Sequence, residues 1–315
     1  MWKATLIAVG AGIVSSLIFV APISGLTSGM ILVSFTQLPL FIVGLSLGVA
    51  SAVIAAGTAT ALVVGFVPLS GVVPFAVTMT VPAVVVVRQA LLSRTAPDGS
   101  VEWYPPGQLM AILTVYGALT FVAVTLYLAG EPGGIDRVLQ STLSQGIAYY
   151  FPEMTEADRI AAASQASAVF PAMLFGSWLF TVLINGVLAQ AILVRSGHNL
   201  RPSPAYVGIE VPRGLAVALA LSAALWLVAD GTPGYAGRIL TLVFAAPYFF
   251  QGLGVVHRVA RLWPGRLVAL VLFYILLLIL PGGAGIWLVA GVGLVEHWVG
   301  LRRRLAGALP IEEED

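Results

Sequence analysis

Apolar runs of about 20 residues, the length a helix needs to cross the hydrocarbon of a bilayer, recur from one end of this chain to the other. They dominate its make-up: 59% of the residues are hydrophobic and only 9% are charged. A soluble chain carries about 25% charged residues, and so few charges cannot coat a water-facing surface of 315 residues. The expected fold is all-α: a polytopic transmembrane helical bundle forming a single integral membrane domain over 1–315, with the lipid bilayer as its first partner.

Reading for runs broken by Gly/Pro turns or charges gives about ten spans. These are Ala4–Ala21, Met30–Val43 with Pro39 inside it, Leu47–Phe66, Val72–Leu92 with Pro74 and Pro82, and Leu109–Leu128. They continue with Val169–Val194, Val211–Ala229, Ile239–Val256, Leu267–Leu280 and Ala284–Leu301. Lys and Arg concentrate on cytoplasmic loops near helix ends, which gives an independent check. With Lys3 inside and every span crossing once, twelve of the 15 basic residues fall inside, and only Arg137, Arg159 and Arg238 fall outside. Both the 258–266 and the 302–304 clusters are basic, so an even number of passes separates them; residues 267–301 therefore split at the PGGAG turn. Both termini are expected in the cytoplasm. The rival reading of the first run, a secretory signal peptide, has only Lys3 as a basic flank and no clean small-x-small cleavage site.

In this layout residues 1–92 form a four-span part and 93–107 a cytoplasmic loop. Six further spans fill 108–301, and 302–315 form a cytoplasmic tail. The external segment 130–168 is the one sizeable stretch outside the membrane. There Ile135, Val138, Leu139, Leu143 and Ile147 recur at helical spacing, which predicts an amphipathic helix on the outer leaflet or capping the bundle. It serves either as a lid over an external cavity or as a plain spacer. Thr155 with Asp158 three residues on predicts a helix N-cap, and that helix is expected to run on into the sixth span with a kink near Pro171. The loop at 93–107 carries Trp103, Tyr104, Pro105 and Pro106, read as interfacial aromatics and a rigid extended lead-in. The closing LPIEEED is read as an acidic solvated tail.

Ionisable groups deep in a membrane mark function by default, and this chain has almost none. Arg88 can snorkel, Glu296 and His297 can pair with the arginines at 302–304, and Asp230 heads an exposed DGTPG turn. Uncharged polar groups at mid-depth are the better candidates for a pocket that takes a neutral solute: Gln37, Gln251, and Trp178, Thr181 and Asn185 at i, i+3 and i+7 on one helix face. The same residue types also act as interhelical glue, and the spacing leaves both readings open. Small residues recur every four positions as Ala4, Ala8, Gly12 and Ser16, and again as Gly48, Ala52 and Ala56. Such ridges pack within the chain or against a partner.

Catalysis and cofactors find little support. Zero cysteines exclude thiol chemistry and disulfides, and three histidines leave no metal set, so neither a metal nor a cofactor is expected. A net charge of +1 gives no field for nucleic acid. HExxH, GxSxG and phosphate-loop signatures are absent, and Ser177 in FGSW has no histidine or lysine base at similar depth. The chain is therefore expected to be no enzyme.

MWKATLIAVGAGIVSSLIF at the start, LPLFIVGLSLGVASAVIAAG, and DGSVEWYPPGQL together resemble the YybS-like family of bacterial inner-membrane proteins. That resemblance implies a multi-pass protein of the bacterial cytoplasmic membrane. It also implies a distant likeness to the substrate-capturing S components of energy-coupling-factor transporters. LPLFIVGLSLG is similar to their proline-then-glycine pattern, and Ala4, Ala8 and Gly12 resemble the first-helix face that meets a transmembrane coupling protein. S components have about six spans, and this chain departs from them with ten. The function so implied is binding, or help in transport, of a small neutral or hydrophobic solute. The alternative is an assembly protein that docks a partner, or a second copy, through the ridges and the 93–107 loop.

Overall fold

The computed structural model describes residues 2–24, 27–280, 283–302 and 304. The acidic tail at 309–315, Arg303, and Pro281 and Gly282 of the PGGAG turn lie outside the described residues. The helices are α1 (Trp2–Val20), α2 (Thr27–Leu32), α3 (Leu38–Leu47), α4 (Val49–Val63), α5 (Leu69–Phe75), α6 (Val81–Ala90) and α7 (Pro106–Tyr127). They continue as α8 (Gly134–Tyr150), α9 (Glu156–Ser167), α10 (Phe170–Ser196), α11 (Arg213–Val228), α12 (Gly231–Ala260), α13 (Arg266–Ile279) and α14 (Ala284–Val299). Each of the ten apolar segments contains helix, the second broken at 33–37 and the fourth by a π turn at Ala76–Thr80. Among the described residues, six stretches are long and apolar enough to cross a bilayer: Trp2–Ile23, Gly29–Leu47, Leu69–Ala90, Pro106–Gly130, Phe170–Ser196 and Gly231–Ala260. Val49–Val63 and Arg213–Val228 are shorter, and α13 and α14 meet at a break bent by 119°.

Several boundaries move for physical reasons. Pro39 sits in the first turn of α3, where its missing N–H costs nothing, so the expected second run is interrupted at 33–37 before α3 begins. The DGTPG stretch is no turn between spans. Asp230 is the N-cap of a 30-residue α12 whose first turn holds Pro233, so this helix starts well before Ile239. The helix after Thr155 stops at Ser167, and after a two-residue turn, Ala168 and Val169, the chain enters α10, so Pro171 sits in the first turn of a new helix and makes no kink. Thr155 caps α9 as its sequence predicts, with its Oγ1 accepting from Asp158 N at 3.2 Å. Within 93–107 the structure has a hairpin. β1 (Ser93–Thr95) pairs antiparallel with β2 (Val101–Trp103), Arg94 opposite Glu102, around a turn held by Asp98. The signal was Pro97-Asp98-Gly99, a turn tripeptide.

The chain divides into two compact units. One comprises residues 1–109 and 177–204, the other 110–176 and 205–315, with α7 and α10 contributing to both. In the first unit α1 lies on α4 through the two small-residue ridges. Ala8, Gly12 and Ser16 are buried against a face containing Ala52, Ala55, Ala56 and Ala59. A Cβ on Gly12 would stand 2.5 Å from the Ala55 carbonyl oxygen, so only glycine permits this approach. Ala4 is half-buried at the ridge's end. Gly48, expected to extend the second ridge, is instead the hinge between α3 and α4. Its φ of +96° suits glycine and nothing lies within 4 Å of its Cβ position, so it packs against no helix. Beyond the ridges Val63, Val72 and Phe75 close an apolar cluster, with Phe19 against Phe75 at 4.5 Å between ring centroids.

In the second unit α11, α12 and α14 pack around Val211, Leu215 and Tyr248. Gly252 of α12 and Gly293 of α14 approach the facing backbone at Val289 and Tyr248 too closely for any side chain. The amphipathic helix α8 turns Ile135 inward and caps this unit beside α9 and α12. Its Asp136 accepts from the Ser167 hydroxyl at 3.0 Å.

Candidate functional site

Proline explains where two of the polar side chains go. A proline at position i has no N–H for the carbonyl of residue i−4, and a bilayer supplies no water in its place, so another part of the protein must donate. Pro82 leaves the Thr78 carbonyl in this position. Just before it, Ala76–Thr80 form a π turn, closed by Val81 N–H on Ala76 O, which shifts the backbone register between α5 and α6. Two side chains from elsewhere answer. The indole Nε1 of Trp178 donates to Thr78 O at 2.7 Å. Gln37 Nε2 donates to Met79 O at 2.8 Å and to Thr78 O at 3.3 Å.

A second irregular stretch lies in the same unit. Between α2 and α3 the chain tightens into a 3₁₀ turn at Val33–Phe35 and bends through Thr36 and Gln37. Its carbonyls are met by side chains too. Asn185 Nδ2 donates to Ser34 O at 2.7 Å, and Ser15 Oγ donates to Thr36 O at 2.7 Å. The Thr36 hydroxyl turns back on Val33 O at 2.7 Å. Gln37, Trp178 and Asn185 thus converge on two neighbouring helix breaks. Gln37 and Asn185 are each 1% exposed, while Trp178 is half-buried.

Not every candidate joins them. Thr181 donates to Ser177 O on its own helix at 2.9 Å, as membrane-helix threonines commonly do. Gln251 belongs to the second unit and is engaged at both ends. Its Oε1 accepts from Val211 N at 2.9 Å and its Nε2 donates to Gly293 O at 3.1 Å, which ties α12 to α14 and to the start of α11. Gln37 and Asn185 differ from it in one respect: Gln37 Oε1 and Asn185 Oδ1 are buried without a hydrogen-bond partner. Each such atom costs about 1–3 kcal/mol relative to a satisfied one.

Other polar anchors escaped the sequence pattern. Arg201, in the loop after α10, is 5% exposed. Its guanidinium donates to Ala90 O at the end of α6 at 2.8 Å and lies 5.6 Å from the centre of the Trp103 ring. Gln190 holds that loop by donating to Arg201 O at 2.8 Å. In the second unit Tyr235 donates to Ser167 O at 2.9 Å, one of the carbonyls left open where α9 ends. Pro82, four residues after Thr78 in an apolar run, was the signal in the sequence for the Thr78 carbonyl. Glu296 pairs with Arg302 at 2.8 Å and accepts from its backbone N–H, closing the end of α14 beyond Gly300.

No curated protein and no solved structure matches the chain. Residues 13–296 match the model of a family described as predicted membrane protein (DUF2232). That match covers nearly the whole length and agrees with the several long apolar helices. The chain is a membrane protein and belongs to the DUF2232 family.

Proposed function

We propose that this protein binds, or helps to transport, a small neutral solute inside the membrane without catalysing a reaction, and that Gln37, Trp178 and Asn185 form the receiving face. The observation that carries the reading is the pair of buried, unpartnered amide oxygens beside two interrupted helices. Buried polar atoms without partners are rare and call for an explanation, and interrupted helices at mid-membrane are where transporters hold their substrates. The resemblance to YybS-like proteins, and through them to S components, supports capture of a solute over catalysis. The assembly alternative has less to stand on, because the ridge residues Ala8, Gly12, Ser16, Ala52 and Ala56 are buried within the first unit.

The setting we propose is the bacterial cytoplasmic membrane, crossed about ten times with both termini inside. Twelve of 15 basic residues on one side support that layout. With no native cysteine, single cysteines placed at Gly99, Gln145 and Gly265 report sidedness cleanly. Labelling of Gln145 alone from outside agrees with the layout, and outside labelling of Gly99 or Gly265 overturns it. The binding reading is tested by extracting the protein in native-lipid discs and searching for a stoichiometric small molecule by mass spectrometry. A molecule retained by wild type and lost from Asn185→Leu supports the reading; only lipid in both refutes it.

A further inference from the structure

Resting on that reading, we infer the chemical class of the solute: a neutral molecule presenting at least two hydrogen-bond donors, hydroxyl or amide N–H. The side chains at the two helix breaks have no donor left to give. Gln37 Nε2 uses its two hydrogens on Thr78 O and Met79 O, and Asn185 Nδ2 uses its two on Ser34 O and Thr181 O. The single indole hydrogen of Trp178 is on Thr78 O. The hydroxyls of Ser15, Thr36 and Thr181 are likewise engaged, on Thr36 O, Val33 O and Ser177 O. What remains is Gln37 Oε1 and Asn185 Oδ1, both acceptors and both buried.

The amide orientations follow from the same contacts. Turning either amide over would set its oxygen against two carbonyl oxygens, so the nitrogen must face the backbone and the oxygen must face away. The two residues belong to one neighbourhood. Asn185 is tied to Ser34 and Gln37 lies three residues further on, a rise of about 5 Å along a helical path. A solute that only accepts hydrogen bonds finds no partner there. An ammonium ion would exchange its hydration shell for two neutral amide oxygens, a poor substitute in a dry interior. Gln251 shows that unpartnered oxygens are not the rule for buried amides of this chain, since its own oxygen accepts from Val211 N.

The test uses the full chain in detergent micelles and two probes of the same shape: resorcinol, with two hydroxyls, and 1,3-dimethoxybenzene, with the same oxygens and no donor. Dissociation constants corrected for micelle partition are expected to favour resorcinol by about five- to tenfold per hydroxyl, or roughly 25- to 100-fold for the pair. The preference should vanish in Gln37→Met/Asn185→Leu. Because that variant also removes the donors to the helix breaks, the wild-type ratio stands as a measurement independent of its folding. Equal binding of the two probes, or preference for the ether, overturns the donor rule while leaving solute binding intact. Failure of both probes together with an empty extract from native-lipid discs removes the binding reading as well. A structure with ordered water alone on both oxygens, unchanged by resorcinol, overturns the inference.

Discussion

Two donors share one acceptor at Thr78, and this predicts a specific failure of additivity. Replacing Trp178 with Phe removes the 2.7 Å bond to Thr78 O but leaves Gln37 Nε2 at 3.3 Å to take it over. Replacing Gln37 with Met removes the bond to Met79 O and relieves the unpartnered Oε1, while Trp178 still serves Thr78. Each single change is expected to cost about 0.5–1.5 kcal/mol. In the double variant Thr78 O has no side-chain donor, and Pro82 supplies none. An unsatisfied buried carbonyl costs about 1–3 kcal/mol, and interhelical hydrogen bonds in membranes average about 0.6 kcal/mol, so the coupling should fall at about 0.6–2 kcal/mol. Reversible unfolding in mixed micelles with a rising fraction of anionic detergent measures all four corners of the cycle. Pro82→Ala restores an N–H within reach of Thr78 O and should abolish the coupling. If the single effects add within about 0.3–0.5 kcal/mol, the range expected of independent sites, the proline argument fails.

Three further outcomes follow from the same geometry. Gly12→Leu places atoms against the Ala55 carbonyl and should lower unfolding stability by at least about 1–3 kcal/mol, whereas Gly10→Leu, with nothing within 4 Å of its Cβ position, should leave the melting temperature nearly unchanged. Tyr235→Phe leaves Ser167 O without its donor and should cost about 1–2 kcal/mol in the same unfolding assay; a neutral result refutes the reading of Tyr235 as the donor that closes the end of α9. At the hairpin tip the Ser100 hydroxyl and N–H hold the Asp98 carboxyl below its ordinary value. A lowered carboxylate pKa supports the folded turn fully above the unfolded value of about 4, and that support is lost as pH falls through the folded value. Ser100→Ala should therefore move the Asp98 carbon resonance titration upward, and an unmoved titration shows that Ser100 does not hold the carboxylate.

Much of the architecture is legible in the residues because the bilayer imposes a simple length rule on apolar runs. Each of the ten runs contains helix, although the second and fourth are broken within, and the Ala8–Gly12–Ser16 face meets the Ala52–Ala56 face, as small residues at four-residue spacing allow. What the pattern hides is local backbone chemistry. Gly48 has the spacing of a ridge but the dihedral angles of a hinge, and only φ distinguishes the two. The hairpin at 93–103 is too short for periodicity, so its turn tripeptide was the sole signal. Arg201 reads as one more basic loop residue, because its burial depends on Ala90 and Trp103, about a hundred positions away in the chain. For the candidate site, Gln37, Trp178 and Asn185 are visible as mid-depth polar residues. Their partners are backbone carbonyls, and of these only Thr78 O is flagged in the sequence, by the proline four residues later; Ser34 O and Met79 O carry no such mark.

That last point bears on why a chain with 9% charged residues can still carry polar specificity in its interior. Prolines within apolar helices permit interruptions that a continuous helix lacks, but each withholds a donor from a carbonyl that lipid cannot solvate. At Thr78 the sequence answers with neutral donors from elsewhere in the chain, Trp178 and Gln37, and in the same way Tyr235 serves the open carbonyl of Ser167 at the end of α9. Indole and phenol groups do this without remainder, since the indole has only a donor and the phenol oxygen tolerates partial pairing. Carboxamides cannot, because every amide N–H group engaged by backbone brings a carbonyl oxygen that itself needs a donor. At Gln251 that oxygen is met by Val211 N, and the residue is pure structure. At Gln37 and Asn185 it is not met. The use of amides to repair helix breaks therefore leaves, as a chemical by-product, two buried acceptors without donors, and it is on these that the proposed donor-bearing solute rests.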